Sequence, residues 1–141
     1  LFFRAEQAHC LADLNINLQH IDGILANYAQ IPDMLEQLCK ETNEKLGNVH
    51  DILTVKLAAD FHYRFMHIKP FEAGNITVGL LMMNYIQMMF REPLIIIPGE
   101  DKAKYLAAIK MQKDTPTPET FERFVGEELL SQLRKEVTPR K

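Results

Sequence analysis

The chain has 141 residues, of which 47% are hydrophobic, and a formal net charge of −3 at pH 7 with a pI near 6.0. This length and apolar content suit one compact domain with its own core, and the charge excludes a basic footprint over the whole chain, although local basic patches remain open. No stretch reaches the roughly 18 uninterrupted apolar residues that a membrane span needs, so we expect neither a nucleic acid nor a membrane as a partner.

The first 30 residues divide into a predicted helix and a less regular segment. Within residues 1–14 the apolar residues recur at helical spacing: Phe3, Ala8, Leu11 and Leu14. Residues 15–30 alternate at Ile16 and Leu18 and contain the turn-like His-Ile-Asp-Gly, which predicts a small hairpin or a loop. Because the chain begins with Leu1 rather than Met, we expect a fragment whose upstream sequence is missing.

The two cysteines, Cys10 and Cys39, are not spaced as metal ligands. Both lie in amphipathic patterns, which favours buried free thiols over the disulfide framework of a secreted protein. We expect a cytoplasmic protein.

Two helices are predicted in the middle of the chain. The first covers residues 31–48, with Pro32 in its first turn, where a missing N–H is harmless, and Gly47 at its end. The second covers residues 49–67 and has the strongest pattern, a broad apolar stripe of Ile52, Leu53, Leu57, Phe61 and Phe65.

A third helix is predicted over residues 75–91 and is apolar almost all round. A helix with so little polar face is normally central to a bundle. We therefore interpret its four methionines as residues that fill gaps in the core rather than as a binding groove: Met82, Met83, Met88 and Met89.

The remainder of the chain predicts an extended connection and two more helices. Residues 91–102, REPLIIIPGEDK, predict a short extended connection bounded by prolines. Asp101 is a candidate cap for a helix with an apolar face of Tyr105, Leu106 and Ile109. Thr117 and Pro118 predict the start of the last helix, which runs to about Val137 with its inward face made of Phe121, Phe124, Val125, Leu129 and Leu133. The sum is five or six helices, an all-α bundle of one domain.

The turn between the second and third of these helices has anion-binding features. Pro70 predicts that Ile68 and Lys69 leave the helix, and Phe71 is an apolar anchor for the loop. Gly74 can adopt a positive φ, which Asn75 tolerates too. Successive N–H groups would converge there at the positive end of the next helix. Two interpretations stay open, a phosphate site and a simple helix cap.

Residues 59–84 read ADFHYRFMHIKPFEAGNITVGLLMMN. This stretch resembles, without a gap, the core of the Fic domain family, whose pattern is roughly A-x-x-H-x-x-F-x-x-I-H-P-F-x-(D/E)-G-N-G-R-x-x-R-L-x-x-N. The matching residues are Ala59, His62, Phe65, Ile68, Pro70, Phe71, Gly74, Asn75, Leu81 and Asn84. The resemblance implies one all-α domain over residues 1–141, with an N-terminal helix at 1–14, a flap-like segment at 15–30 that could hold a small β-hairpin, and a helical core at 31–137.

The resemblance also implies an activity, which this sequence departs from at the reactive positions. Typical Fic domains transfer AMP from ATP to a hydroxyl of a target protein. A His takes the proton, an acid holds Mg²⁺, a Gly-Asn-Gly turn cradles the phosphates, and Arg residues pair with the phosphates. Here the corresponding residues are Lys69, Ala73, Ile76, Thr77 and Leu80. Since a general base contributes about 10²–10⁴-fold in rate, this domain should have lost most AMP transfer.

The candidate site residues are Lys69 at the catalytic position and four for nucleotide binding: Phe71, Gly74, Asn75 and Thr77. Lys69 would act as a base only if its pKa fell by several units; otherwise it grips a phosphate as a cation or is solvated without a role. Ile76, being β-branched, would resist a positive φ and close the nest.

The neighbouring polar residues have weaker claims. Glu72 as a metal ligand and His67 as a displaced base are the less favoured interpretations. For His62 we expect a structural hydrogen bond, and for Thr77 a capping role rather than a bond to phosphate.

The favoured function is therefore binding. We expect ATP or another nucleotide to bind weakly and without Mg²⁺, a protein target or partner, and possible homodimerisation. One alternative is an enzyme that transfers a different phosphate-containing group to a protein hydroxyl, and another is a purely structural or dimerisation domain.

Overall fold

The computed structural model describes residues 28–48, 53–114 and 119–137. Within these residues the chain forms five helices and no strand: α1 (Ile31–Gly47), α2 (Thr54–Ile68), α3 (Asn75–Met89), α4 (Lys102–Asp114) and α5 (Glu119–Val137). The all-α prediction is confirmed. A short 3₁₀ turn, Tyr28–Gln30, leads into α1, and another, Gly99–Asp101, leads into α4. In the described part, no helix is long and apolar enough to cross a membrane.

Several predictions fall on residues that the structure does not describe. The predicted helix at 1–14, the flap-like segment at 15–27, Cys10 and the proposed start of the last helix at Thr117 and Pro118 all lie outside the described residues. Of the predicted 49–67 helix, the described part begins at Leu53, which precedes α2. Pro32 does lie in the first turn of α1, and Gly47 is its last residue, as predicted.

Among the described elements, α2 is the central helix. It packs against α1, α3 and α5, while α4 packs against α5. Its inward side chains are fully or almost fully buried, among them Leu57, Phe61 and Phe65, and they meet Leu38 of α1, Met83 of α3 and Phe121 of α5 in one core. Cys39 is a buried free thiol, and burial raises its pKa.

Among the described residues, the prediction that α3 is central to the bundle is wrong, because α2 holds that place. One side carries the buried residues Gly79, Met83, Ile86 and Gln87. The other side is exposed, with Leu81 at 65%, Met88 at 63%, Met89 at 48% and Tyr85 at 40% relative exposure. Met88 and Met89 therefore do not fill gaps among the described core residues. An apolar composition shows that a helix seeks partners, but not which of its faces a neighbour covers.

The connection at residues 92–98 has no regular secondary structure, and three side-chain amides hold it; one of them is Gln87, whose Nε2 donates to the Pro93 carbonyl at 3.2 Å. Asn84 of α3 accepts from the Ile95 N–H (2.7 Å) and donates to the Ile95 carbonyl (3.0 Å). From the other side, Gln132 of α5 accepts from the Ile96 N–H and donates to the Leu94 carbonyl. These amides satisfy backbone groups of a segment that has no strand beside it among the described residues.

The inward face of α4 differs from the prediction at one position. Tyr105 is buried and Ile109 packs against the core, but Leu106 is 39% exposed. The buried face continues instead through Ala108, because residues three and four apart share a helix face and adjacent residues do not. Asp101 directly precedes α4, and its carboxylate accepts from the Lys104 ammonium at 2.6 Å. The inward residues of α5 are as predicted at Phe121, Phe124 and Val125.

Candidate functional site

The turn between α2 and α3 begins with a left-handed residue. Lys69 has φ 48° and ψ 62°, and its backbone N–H donates to the Phe65 carbonyl at 3.1 Å. This contact closes the end of α2 in the manner of a left-handed C-cap. Ile68 remains helical, so the expectation that Pro70 would remove it from the helix is wrong. A side chain beyond glycine is uncommon in this conformation, which places the half-buried Lys69 at a constrained point of the chain.

A side-chain amide holds the middle of the turn. Asn75 Oδ1 accepts from the Phe71 N–H at 3.0 Å, and Asn75 Nδ2 donates to the Phe71 carbonyl at 2.7 Å. The Phe71 ring packs on the core, with its centroid 6.2 Å from that of Phe65, so the predicted anchoring of the loop is confirmed. Both polar atoms of the Asn75 side chain are used within the protein, which leaves its backbone N–H as its group for an anion.

The start of α3 presents backbone N–H groups that have no helical partner. Gly74 is the N-cap, with φ 81° and ψ 6°, and no side chain forms a capping hydrogen bond there. The Val78 N–H donates to the Gly74 carbonyl at 3.0 Å, as the first backbone bond of the helix. The N–H groups of residues 75–77 precede that bond and have no helical carbonyl to meet. Such groups bind anions well, because they carry the positive end of the helix dipole.

One detail of the predicted nest is wrong, namely the capping role of Thr77. Asn75 is the first helical residue, so only Gly74 in this turn of α3 has a positive φ. Thr77 lies exposed inside the first turn and makes no capping bond. Ile76 is helical, packs against the core and has no positive φ, as its β-branched side chain predicts. The positive φ predicted at Gly74 is confirmed.

His62 lies in the core and has the structural role that we predicted. Its side chain is buried, its Nε2 lies 2.8 Å from the Tyr105 hydroxyl, and its ring stacks on Phe121 at 5.4 Å between centroids. Burial lowers the pKa of His62 to about 4. Nδ1 has no well-aligned hydrogen bond within the described residues; the backbone of Gly79 lies beside it. Sequence reasoning missed Tyr105 and Gly79, since no local pattern links residues on three helices.

The other polar neighbours form no metal site among the described residues. His67 Nδ1 lies 2.8 Å from the Tyr63 carbonyl, and the two rings are in contact at 4.1 Å between centroids. Glu72 and Ala73 are exposed on the turn. The described parts of the chain contain no group of three His, Cys, Asp or Glu side chains that could hold a metal ion.

Comparison with known proteins supports the assignment that the turn suggests. A family model described as the Fic/DOC family matches residues 2–87, which is more than half of the chain. The chain belongs to the Fic/DOC family. This family is related to the protein adenylyltransferases, and the recognition of the Fic pattern at residues 59–84 is thereby confirmed.

Individual relatives agree with this family. This chain is 31% identical over 85 residues to the protein adenylyltransferase Fic of Drosophila erecta, and the match covers 60% of this chain and 16% of that protein. It is 34% identical over 73 residues to the protein of the same name from Drosophila melanogaster. That match covers 52% of this chain and 15% of the Drosophila protein. The chain thus spans about one sixth of the length of these curated relatives.

A solved structure has the same fold. It is the crystal structure of a Fic domain containing signaling protein from Bacteroides thetaiotaomicron, which superposes with a TM-score of 0.66 at 25% sequence identity. The likeness covers 75% of this chain and 44% of that one. The helical Fic fold is therefore present.

Proposed function

We propose that this Fic domain does not transfer AMP and acts by binding. The turn at residues 69–77 would hold a nucleotide or another phosphate weakly and without Mg²⁺, and the domain would bind a protein target or partner. The names of the Drosophila relatives, protein adenylyltransferases, support a protein as that partner.

The observation that carries the proposal is the bond pair between Asn75 and Phe71. The residues that shape the turn are in place, and the amide of Asn75 closes it onto the core through Phe71. The residues that would perform the chemistry are replaced. This bond pair fixes the backbone of the turn, and a binding site needs such a fixed backbone to orient its N–H groups.

Each replacement removes a separate part of the reaction. A charged Lys69 has three donors and no lone pair, so it cannot take a proton from a hydroxyl. Ala73 has no oxygen for Mg²⁺, which supplies several kcal/mol of charge stabilisation in phosphoryl chemistry. Thr77 lacks the fork of donors with which an Arg clamps a phosphate. The loss of all three leaves an anion site made of backbone N–H groups and one cation.

A labelled-ATP transfer assay and thermal shifts test the proposal together. The wild-type chain is compared with Lys69→His/Ala73→Asp/Thr77→Arg, a variant that restores three family residues; Ala73 and Thr77 are exposed, so the new side chains have room. Ile76 and Leu80 stay unchanged because they pack against the core.

We expect no label on the wild-type protein, and the same small stabilisation by ATP in EDTA as in Mg²⁺. Saturation at about 100 times Kd would stabilise the fold by about 2.7 kcal/mol. The restored variant should gain stabilisation that depends on Mg²⁺. Mg²⁺-dependent transfer of AMP by the wild-type chain would refute the proposal.

The alternative enzyme, with a different phosphate donor, has less support. Such an enzyme still needs a base, and the contact of His67 Nδ1 with the Tyr63 carbonyl leaves only Nε2 of this ring for that role. The same thermal shifts with ADP, CDP-choline and UDP-sugars test it, since stabilisation by one of these donors, followed by transfer of its group, would favour the enzyme.

A further inference from the structure

The outward face of α4 is basic and otherwise small and apolar. The helix contains four lysines and a single acidic residue, although the net charge of the whole chain is −3. Its inward face places Tyr105 and Ala108 in the core. The exposed residues on the opposite side lie in two rows at intervals of four and form what we call the α4 face: Lys102, Leu106 and Lys110, with Ala103 and Ala107 beside them.

The two lysines of the α4 face have no acidic partner among the described side chains. Three acidic residues lie around Lys104, on the adjoining side of the helix: Glu100, Asp101 and Glu128. Of these, Asp101 pairs with Lys104 at 2.6 Å. Lys102 and Lys110 form no ion pair with any side chain that the structure describes. Their two charges are therefore available to a partner from outside the domain.

We propose that the α4 face binds an acidic amphipathic helix of another protein. Leu106 would meet an apolar residue of that helix, and the small side chains of Ala103 and Ala107 would let the two helices approach closely. Lys102 and Lys110 are eight residues apart, about 12 Å along the helix, so acidic residues seven or eight positions apart on the partner would face both. An apolar centre with a charged rim is the usual arrangement of a protein interface. That the partner is a protein rests on the proposed function, whereas the turn at residues 69–77 has no part in this contact.

The charge and composition of the α4 face favour this occupant over three others. In a symmetric contact with a second copy of the chain the face would meet itself, so lysines would oppose lysines at a cost in affinity. A nucleic acid or an anionic membrane would be repelled by the negative net charge of the whole chain. The face also has no aromatic side chain that could stack on a base or enter a bilayer.

Fluorescence anisotropy with a synthetic peptide tests this surface on the whole chain. The probe is a labelled peptide of about 18 residues, long enough to be helical, with leucines on one face and glutamates on both sides of them. A second probe has lysines in place of the glutamates. The face variant is Lys102→Glu/Lys110→Glu. The matched control, Lys40→Glu/Lys135→Glu, makes the same change of charge at exposed positions of α1 and α5.

We expect the acidic peptide to bind the wild type and the control variant alike, and the face variant at least about tenfold more weakly, because its glutamates would then face glutamates. The basic peptide should prefer the face variant. Absence of binding to the wild type, or equal affinities for the wild type and the face variant, would overturn the proposal. Vesicles that contain phosphatidylserine are the second probe, and loss of vesicle binding in the face variant with unchanged peptide binding would overturn it in favour of a membrane.

Thermal melts with ATP separate this surface from the candidate site at the turn. Stabilisation by ATP that is equal in the wild type and the face variant shows that the variant is folded and that its turn is intact. If ATP stabilises the chain and the peptide does not distinguish the variants, the α4 face is refuted and the proposed function stands. If the peptide distinguishes them and ATP does not stabilise the chain, the nucleotide part of the proposed function is refuted and the α4 face stands.

Discussion

The backbone of Gly79 lies against the ring of His62, so closely that a Cβ on Gly79 would be 2.7 Å from Nδ1 and 2.8 Å from Cε1. This approach joins α3 to α2 at the centre of the core. The His62 ring has no room to move away from such a Cβ, because the rings of Tyr105 and Phe121 pack against it.

Gly79→Ala should therefore destabilise the fold. Overpacking of this kind costs about 1–3 kcal/mol, which exceeds the gain of about 0.5–1 kcal/mol that an alanine normally brings to a helix interior. Chemical denaturation measures the change. Gly126→Ala in α5 is the control, since a Cβ there meets nothing within 4 Å, and it should stabilise the protein. Equal effects of the two substitutions would contradict the packing described here.

The stability of the domain should fall in mild acid because His62 is buried in its neutral form. Its pKa is about 4 in the fold and about 6.5 in the unfolded chain. The contribution of His62 is therefore fully present above about pH 6.5 and is lost as the pH falls towards 4, by about 3 kcal/mol in all. Tyr105 is the titratable group that faces the ring, and burial raises its pKa, so it stays neutral throughout.

Unfolding free energies measured from pH 7 to pH 4 check this prediction. His62→Gln removes the titrating group and should flatten the dependence over that range. If the variant keeps the slope of the wild type, the acid sensitivity comes from other groups.

Tyr105→Phe should destabilise the protein by about 1–3 kcal/mol, since it leaves the buried His62 ring without its hydroxyl partner. The control is Tyr85→Phe at an exposed position of α3, which should change stability by less than about 0.5 kcal/mol. Thermal or chemical unfolding measures the stability of both variants. If Tyr105→Phe left the stability unchanged, the 2.8 Å contact between His62 and Tyr105 would contribute nothing to it.

Asn75→Ala should loosen the turn at the candidate site. It removes both bonds to the Phe71 backbone, and a half-buried N–H and carbonyl left unpaired cost about 1–3 kcal/mol. Hydrogen exchange of the Phe71 amide should accelerate. Glu72→Ala, on the exposed side of the same turn, should alter neither stability nor exchange. Comparable exchange rates of the Phe71 amide in the two variants would argue that the Asn75 side chain does not hold the turn.

Arg91→Gly should stabilise the protein. Arg91 follows α3 with φ 58°, and the N–H groups of Arg91 and Glu92 donate to the carbonyls of Met88 and Gln87, the bonds of a Schellman motif. Glycine adopts this conformation without the steric cost of a Cβ, so we expect a gain of up to about 1 kcal/mol. Arg91→Ala retains the Cβ and separates this effect from loss of the charge; it should not stabilise.

Much of the helical layout was predictable from local patterns. The bounds of α1, α3 and α5, as far as they are described, follow from Pro32, from the Gly-Asn turn and from apolar spacing, because caps, φ preferences and helix periodicity act within a few residues. The Fic pattern at residues 59–84 likewise identified the family and placed Phe71 as an anchor. Periodicity also grouped the residues that share each helix face.

Only the tertiary structure decided what those faces and side chains meet. Asn75 binds the Phe71 backbone, Thr77 caps nothing, and Leu106 is exposed. His62 meets a hydroxyl 43 residues away. Periodicity determines which residues point the same way, but the crossing of one helix over another determines the neighbour. The sequence of α3 by itself established an apolar helix. The packing of α2 against one side of α3 decided which residues of α3 became core and which remained exposed.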